Sequence, residues 1–297
     1  MDNISITIFT FSGINESRTS KHIIFAFAIQ GYFLIIIFNL TLISVVLLEK
    51  ALHEPMYIFL CSLCINGLFG TAGFFPKFLS DLLSDTHVIS YSGCLIQNFV
   101  IFSYVLCEFT SLTVMAIDRY VAICKPLHYH TIMTAETTGK CLVFVWMFPC
   151  CTVVFFTCLT IIRPLCGSHI DKFFCQSSAL EKLACKEDTF VFVLNAIFMC
   201  VITSLVSFII ISYWKIIAAC RRSKSNQHKF MQTCLPHLVA FFNFVVVTLF
   251  DGINTRFHSK DFSQELHNFI SVKYLVIPPF INPIIYGVNL NPIRTRA

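Results

Sequence analysis

Asp118 and Arg119 stand side by side at the end of a long apolar run, with Tyr120 directly after them. Pro126 follows soon and stops the helix, because its ring removes a backbone N–H and restricts the residue before it. A charge pair at such an end lies at a membrane boundary, where Arg119 either pairs with Asp118 or reaches a partner arriving from the water. That is the chemistry of a switch. Glu108 precedes Arg119 by eleven residues, so it lies about 16 Å deeper along a helix. A carboxylate at that depth either holds a cation or is protonated and hydrogen-bonded in the core.

Lys273 lies ten residues before Pro283, well inside the last apolar stretch. It suits an anionic ligand group such as a carboxylate. It equally suits an internal pair with Asp251 or Glu265, or snorkelling toward the loop. Cys61-Ser62-Leu63-Cys64 has metal or redox spacing, but without a second ligand pair these read as small packing residues. No His-Glu-x-x-His, Gly-x-Ser-x-Gly or phosphate-cradling glycine loop is present, so the chain reads as no enzyme and calls for no cofactor.

The elements that must position these groups are membrane helices. The 297 residues are 56% hydrophobic and only 12% charged, with a mean hydropathy of +0.76. That composition belongs to an all-α polytopic membrane protein. Runs long enough to span a bilayer recur at about 23–48, 56–79, 94–124, 141–162, 189–217, 229–250 and 262–286. Glu108 interrupts the third, and Glu265 and Lys273 interrupt the seventh. Seven spans put the termini on opposite sides. Two acceptor sequons, at Asn3 and Asn15, favour an extracellular, glycosylated tail over 1–22 and a short cytosolic tail over 287–297. The Lys and Arg count barely discriminates, with eleven of the 21 on the proposed inner side. The acid-free basic cluster from Lys215 to Lys229 leans inward. A net charge of +5, scattered along the chain, excludes a nucleic-acid surface.

Most of the fifteen cysteines fall inside apolar runs, where a thiol behaves as a small hydrophobe. Cys166, Cys175 and Cys185 sit instead in a polar loop at about 163–188, and Cys94 opens the third span on the same side. Four cysteines allow three pairings, and free thiols remain the alternative.

Met115 to Tyr129, MAIDRYVAICKPLHY, resembles the third-helix signature of rhodopsin-like receptors and, in that longer form, of the odorant receptors. Further blocks carry the resemblance over nearly the whole chain. LHEPMYIFL (Leu52 to Leu60) joins the first two spans, Ser212-Tyr213 ends the fifth, Lys229, Thr233-Cys234 and His237-Leu238 open the sixth, and PPFINPIIYG (Pro278 to Gly287) closes the seventh. The resemblance implies a seven-helix bundle in the plasma membrane of sensory cilia, with an outward cavity for a small odorant and an inward surface for a heterotrimeric G protein. It implies a stimulatory G protein and cyclic AMP, and the disulfides Cys94–Cys175 and Cys166–Cys185. It also implies that Tyr286 moves toward Arg119 on activation, with Tyr213 nearby. Asn282-Pro283 would then be a functional kink, although a proline bend is also tolerated in membrane helices.

In the same terms Glu108 resembles a sodium-site acid, with Asn39 and Asn282 as neutral companions. The sequence departs from the family at Gly67, twelve residues after Pro55, where an aspartate is usual; Asn66 stands beside it. Sodium binding is therefore expected to be weak or absent. Val245 replaces a common tyrosine, and Phe38 replaces the glycine before Asn39. CINGLFGTAGFFPKFL, Cys64 to Leu79, resembles the branch found in aquatic vertebrates, whose ligands are water-borne.

Outward from Glu108 at helical spacing come Val105, Phe102, Ile101 and Asn98. With Asn195, Phe198, Phe244, Val245 and Thr248 they would form an apolar cup with few polar groups, as small-molecule sites are built. Each also reads as ordinary core. A transporter would show matched half-repeats and more ionisable groups at depth, and a membrane hydrolase would show a nucleophile with its base or a metal cluster. Neither pattern is visible.

Overall fold

The computed structural model of the chain describes residues 7–12, 17–186, 189–220, 234–248 and 264–289. Asn3, Asn15, Asp251 and the basic loop 221–229 lie outside the described residues, and so does the tail beyond 289.

Seven helices make the membrane bundle: α1 (Arg18–Leu48), α2 (Pro55–Leu83), α3 (Tyr91–Cys124), α5 (Ala135–Ile161), α7 (Thr189–Cys220), α8 (Cys234–Thr248) and α9 (Gln264–Asn289). Two short helices, α4 (Tyr129–Ile132) and α6 (Ser177–Lys182), lie in the loops. Side chains define several helix starts. Ser17 Oγ accepts from Ser20 N, Ser90 Oγ from Gly93 N, and Thr134 Oγ1 from Thr137 N, each satisfying an N–H that a first turn leaves orphaned. Pro55 starts α2, at the position where its missing N–H costs nothing. Capping carries α1 outward to Arg18, inside the stretch read from sequence as a polar tail.

α3 is the axis of the bundle, packed against α2, α5 and α7. The most apolar window of α3 is 78% buried, against 6% for that of α7. A helix apolar all round is lipid-facing when its neighbours do not cover it. Phe192, Ile197, Ile210, Ile211 and Trp214 of α7 are accordingly exposed.

Prolines inside these helices create a specific problem. A proline has no N–H, so the carbonyl four residues earlier loses its helical partner, and hydrocarbon supplies no water to replace it. Neighbouring helices solve it with side chains. Pro278 strands the Tyr274 carbonyl, which accepts from the Tyr104 hydroxyl of α3 at 3.0 Å. Pro283 strands the Pro279 carbonyl, which accepts from Asn39 Nδ2 of α1 at 2.9 Å. Pro149 in α5 strands the Val145 carbonyl, which accepts from Thr110 Oγ1 of α3 at 3.2 Å. Tyr104 reaches α9 across α2 at Gly70, where an added Cβ would stand only 2.4 Å from the Tyr104 Cγ.

At the outer end the fold adds a small sheet of order β2-β1-β3 that the sequence reading did not anticipate. β1 (Ile8–Phe11) pairs antiparallel with β2 (Val88–Ser90) and parallel with β3 (His169–Ile170). The signal was present: in Ile8-Phe9-Thr10-Phe11 the rings alternate inward with period two. Phe9 and Phe11 pack on Ile170, Leu180 and the joined sulfurs of Cys94 and Cys175.

Tyr104→Phe leaves the Tyr274 carbonyl without its donor, so we expect a loss of about 1–3 kcal/mol. The measurement is thermal unfolding of the purified chain. Thr203→Val should change the midpoint little, because that exposed hydroxyl bonds only carbonyls of its own helix.

Candidate functional site

Three polar layers stack along α3. At the inner end, Arg119 Nε donates to Asp118 Oδ2 at 2.8 Å and a second guanidinium nitrogen closes the same pair. Asp118 is fully buried and Arg119 nearly so. The Tyr129 hydroxyl, from α4, donates to Asp118 Oδ1 at 2.8 Å. Burial and the adjacent Asp118 carboxylate both raise the Tyr129 pKa, so the phenol stays protonated as that donor. Asp118 is thus held from two sides, a partner that sequence spacing alone did not reveal.

Tyr120 is half-buried beside this pair and packs against both inner hydrophobic clusters. Tyr213 is buried with Ile216, Cys234 and Phe241. Tyr286 lies fully buried, and its hydroxyl is 3.0 Å from His237 Nδ1. That contact ties α9 to α8. The sequence reading noted His237 only as part of a family block.

In the middle layer, Asn66 Nδ2 donates to Glu108 Oε2 and Asn282 Nδ2 to Glu108 Oε1, both at 2.9 Å. Asn66 Nδ2 also donates to the Tyr104 carbonyl at 3.0 Å, which fixes the orientation of its amide. Asn39, expected beside Glu108, instead donates to the Ile35 and Pro279 carbonyls. Its role at this site is taken by Asn66. For a sodium ion this layer presents the Glu108 carboxylate and the buried Asn66 Oδ1 and Asn282 Oδ1, both without a hydrogen-bond partner among the described residues. The position that would add a second carboxylate is Gly67, where a Cβ would meet Pro279 at 3.3 Å and Asn39 Oδ1 at 3.6 Å. Among the described residues this set offers one carboxylate and two amide oxygens.

The outer layer is mostly rings. Phe102 of α3 and Phe198 of α7 meet edge-on at 5.5 Å, with Phe156 of α5 closing a trio that sequence did not foresee. Phe244, expected from sequence to line the cup, lies deeper: it is fully buried and packs edge-on at 4.8 Å against Phe109, one residue inward of Glu108, in the cluster that holds Tyr213. Ile101 is buried, and Val105 and Val245 are partly buried against the same clusters. Among the described residues, Thr248 Oγ1 is buried without a hydrogen-bond partner. Both outer asparagines seat the loop: Asn98 Oδ1 accepts from Ser177, and Asn195 Nδ2 donates to Glu181, each at 2.9 Å.

That loop is fixed by two disulfides, Cys94–Cys175 and Cys166–Cys185. Gln97 adds a bridge that sequence missed, accepting from Cys175 N at 2.9 Å and donating to the Gly73 carbonyl at 3.0 Å. Lys273 does not point into the bundle; it is exposed on α9. The helical phase that buries Ser271, Tyr274 and Leu275 turns position 273 outward. The buried ammonium at this level belongs to Lys172 of the loop, which donates to Ser271.

Asn66→Ala removes the one donor shared by Glu108 and the Tyr104 carbonyl. We expect a loss of about 1–3 kcal/mol for a buried acceptor left unmatched, read as a lowered unfolding midpoint. Asn66→Asp, which supplies no amide donor and adds a second acid beside Glu108, should cost at least as much.

The arrangement suits a membrane receptor: a cluster of rings beneath a disulfide-fixed loop outside, a buried Asp118–Arg119 pair inside, and buried polar contacts between. Comparison with known proteins agrees. The family model described as Olfactory receptor matches residues 28–297. Olfactory receptor 2G3 of Homo sapiens is 32% identical over 292 residues, covering 96% of this chain and 93% of the relative. Olfactory receptor 2C1 of Mus musculus is 34% identical over 296 residues, covering 98% and 94%. The chain therefore belongs to the olfactory receptor family.

Proposed function

We propose that the chain is an odorant receptor. A small molecule binds among α3, α7, α8 and α9 below the disulfide-fixed loop, and a heterotrimeric G protein engages the inner face. The observation that carries this reading is the buried Asp118–Arg119 pair at the inner end of the same helix whose outer half lines the cup. A ligand shifts the population only through its differential affinity for the two states. The active state is the one in which Arg119 leaves Asp118 and the Tyr286–His237 contact opens, freeing α8 from α9. Leu127, 93% exposed in the loop after α3, supplies an apolar contact for the incoming partner. Within the cup, the rings of Phe102 and Phe198 take the apolar body of the odorant, and the Thr248 hydroxyl, without a hydrogen-bond partner among the described residues, offers a polar handle.

The finer assignments rest on the family resemblance. The G protein is of the stimulatory, olfactory type and raises cyclic AMP, and the chain works at the plasma membrane of sensory cilia. The odorant is water-borne, in keeping with the Cys64 to Leu79 segment. Asn3 and Asn15 carry glycans on the extracellular tail.

Cells expressing the chain, screened against amino acids, bile-type acids and amines, should give a cyclic AMP response that Phe198→Ala weakens at least about tenfold. A surface-expressed chain that promotes nucleotide exchange on no G protein would sink this reading. Tyr129→Phe removes about 1 kcal/mol from the resting Asp118 arrangement, so basal signalling should rise roughly fivefold. Replacing sodium by choline at constant ionic strength should shift the unfolding midpoint of the wild type no more than that of Glu108→Gln. A larger shift in the wild type would restore the ion to Glu108.

A further inference from the structure

α5 and α7 each pack along α3 but not along one another. What closes the gap between them is a set of rings: Phe102 of α3, Phe156 of α5 and Phe198 of α7 meet edge-on, with centroids 5.5–6.4 Å apart. None of the three is fully buried. Phe155, exposed beside them, stands edge-on to Phe156 at 5.7 Å, so ring contacts lead from the outer surface of α5 to the cup.

Depth fixes what lies outside this seam. Phe102 stands about 26 Å outward of Arg119 at the 1.5 Å rise of a helix, within a hydrocarbon core about 30 Å thick. The seam therefore faces the outer leaflet rather than water. No acid, lysine, arginine or histidine occurs over 141–162 or 189–214, so its walls give a charged group nothing to pair with.

The roof of the cup is held more firmly than this side wall. Over α3 and α7 the loop is fixed by the Cys94–Cys175 disulfide and by hydrogen bonds from Gln97, Asn98 and Asn195 to loop residues. Lifting it means breaking those bonds around a covalent anchor. Opening the seam takes only the rotation of a partly exposed ring.

We propose that the seam is a lateral entrance to the cup. An uncharged small molecule with an apolar body leaves the outer leaflet between α5 and α7 and passes the Phe156 ring. A molecule that arrives in water reaches this entrance by first partitioning into lipid. What the ligand does once inside rests on the receptor reading, whereas its route does not.

The test uses the full chain in phosphatidylcholine nanodiscs and time-resolved photolabelling. The probes are 3-trifluoromethyl-3-phenyldiazirine, which dissolves in lipid, and the same diazirine carrying a ring carboxylate, which stays in water. Each is mixed with the chain and flashed at increasing delays, and peptide mass spectrometry follows the label at Val105, one turn inward of Phe102 and packed against both the α8 and α9 sides of the bundle. The neutral probe should reach Val105 much sooner than the carboxylate. Phe156→Ala, which removes two of the three ring contacts, should speed its arrival roughly tenfold, and Phe156→Trp should slow it. Ser177→Ala combined with Glu181→Ala, which loosens the loop, should leave it unchanged. Equal arrival of the two probes, no response to either Phe156 variant, faster arrival in the loop variant, or no label at Val105 from the neutral probe would each overturn the proposal. The readout needs no G protein. A chain that admits the neutral probe past Phe156 yet never signals would uphold the entrance and count only against the receptor reading.

Discussion

A carbonyl oxygen inside hydrocarbon must find a donor, and in this bundle that requirement joins the helices more specifically than apolar packing does. Lipid tails are as apolar as leucine, so burial alone gives helices little reason to prefer one another. Prolines in α5 and α9 free carbonyls at fixed heights, and Asn39, Tyr104 and Thr110 arrive from α1 and α3 to meet them. Each such contact sets both the rotation and the depth of two helices at once. The register of α9 against α1 and α3 follows from two of them, and that register brings Asn282 to Glu108 and Tyr286 to His237.

The same contacts make the bundle suitable for switching. A proline-interrupted helix carries part of its hydrogen bonding in side chains on other helices, and these can be exchanged without unwinding a regular ladder. α9 has three prolines and is tied at successive heights to α3, to α1, to Glu108 and to α8. The outer and inner ends of α9 are therefore linked through a series of discrete side-chain contacts rather than through packing alone. At that end the Asp118–Arg119 pair is buried, and Tyr129 of α4 gives Asp118 a second donor. A buried ion pair adds little net stability but strongly favours one arrangement over its broken form.

Much of this architecture was legible in the sequence because the signals are local. Apolar runs of spanning length reveal helices wherever water must be excluded, and the blocks around Asp118-Arg119-Tyr120 and Pro278 to Gly287 reveal the family. Partner identity was not legible, because it depends on helix rotation and depth, which a single sequence does not encode in any short window. Asn39 and Asn66 are both amides in apolar runs, and nothing local says that the first meets a freed carbonyl and the second meets Glu108. Lys273 and Lys172 show the same limit for charge: position within a span suggested the first, while helical phase and the fold of the loop bury the second. His237, Gln97 and Phe156 were invisible for the same reason, being significant only for what stands opposite them.

The strand β1 has a consequence for how the molecule is made. Its residues are synthesised before any of the spans described, yet Thr10 must pair both with Val88 and with His169, and α1, α2, α3 and α5 lie between the strand and its last partner in sequence. During biosynthesis the segment must therefore wait on the lumenal side, with Phe9 and Phe11 uncovered, until a fourth span has been inserted and the loop beyond it has emerged. Closure of this sheet is a late, long-range event, and a nascent receptor stalled before it would present an apolar, unpaired edge to the quality-control machinery of the secretory pathway.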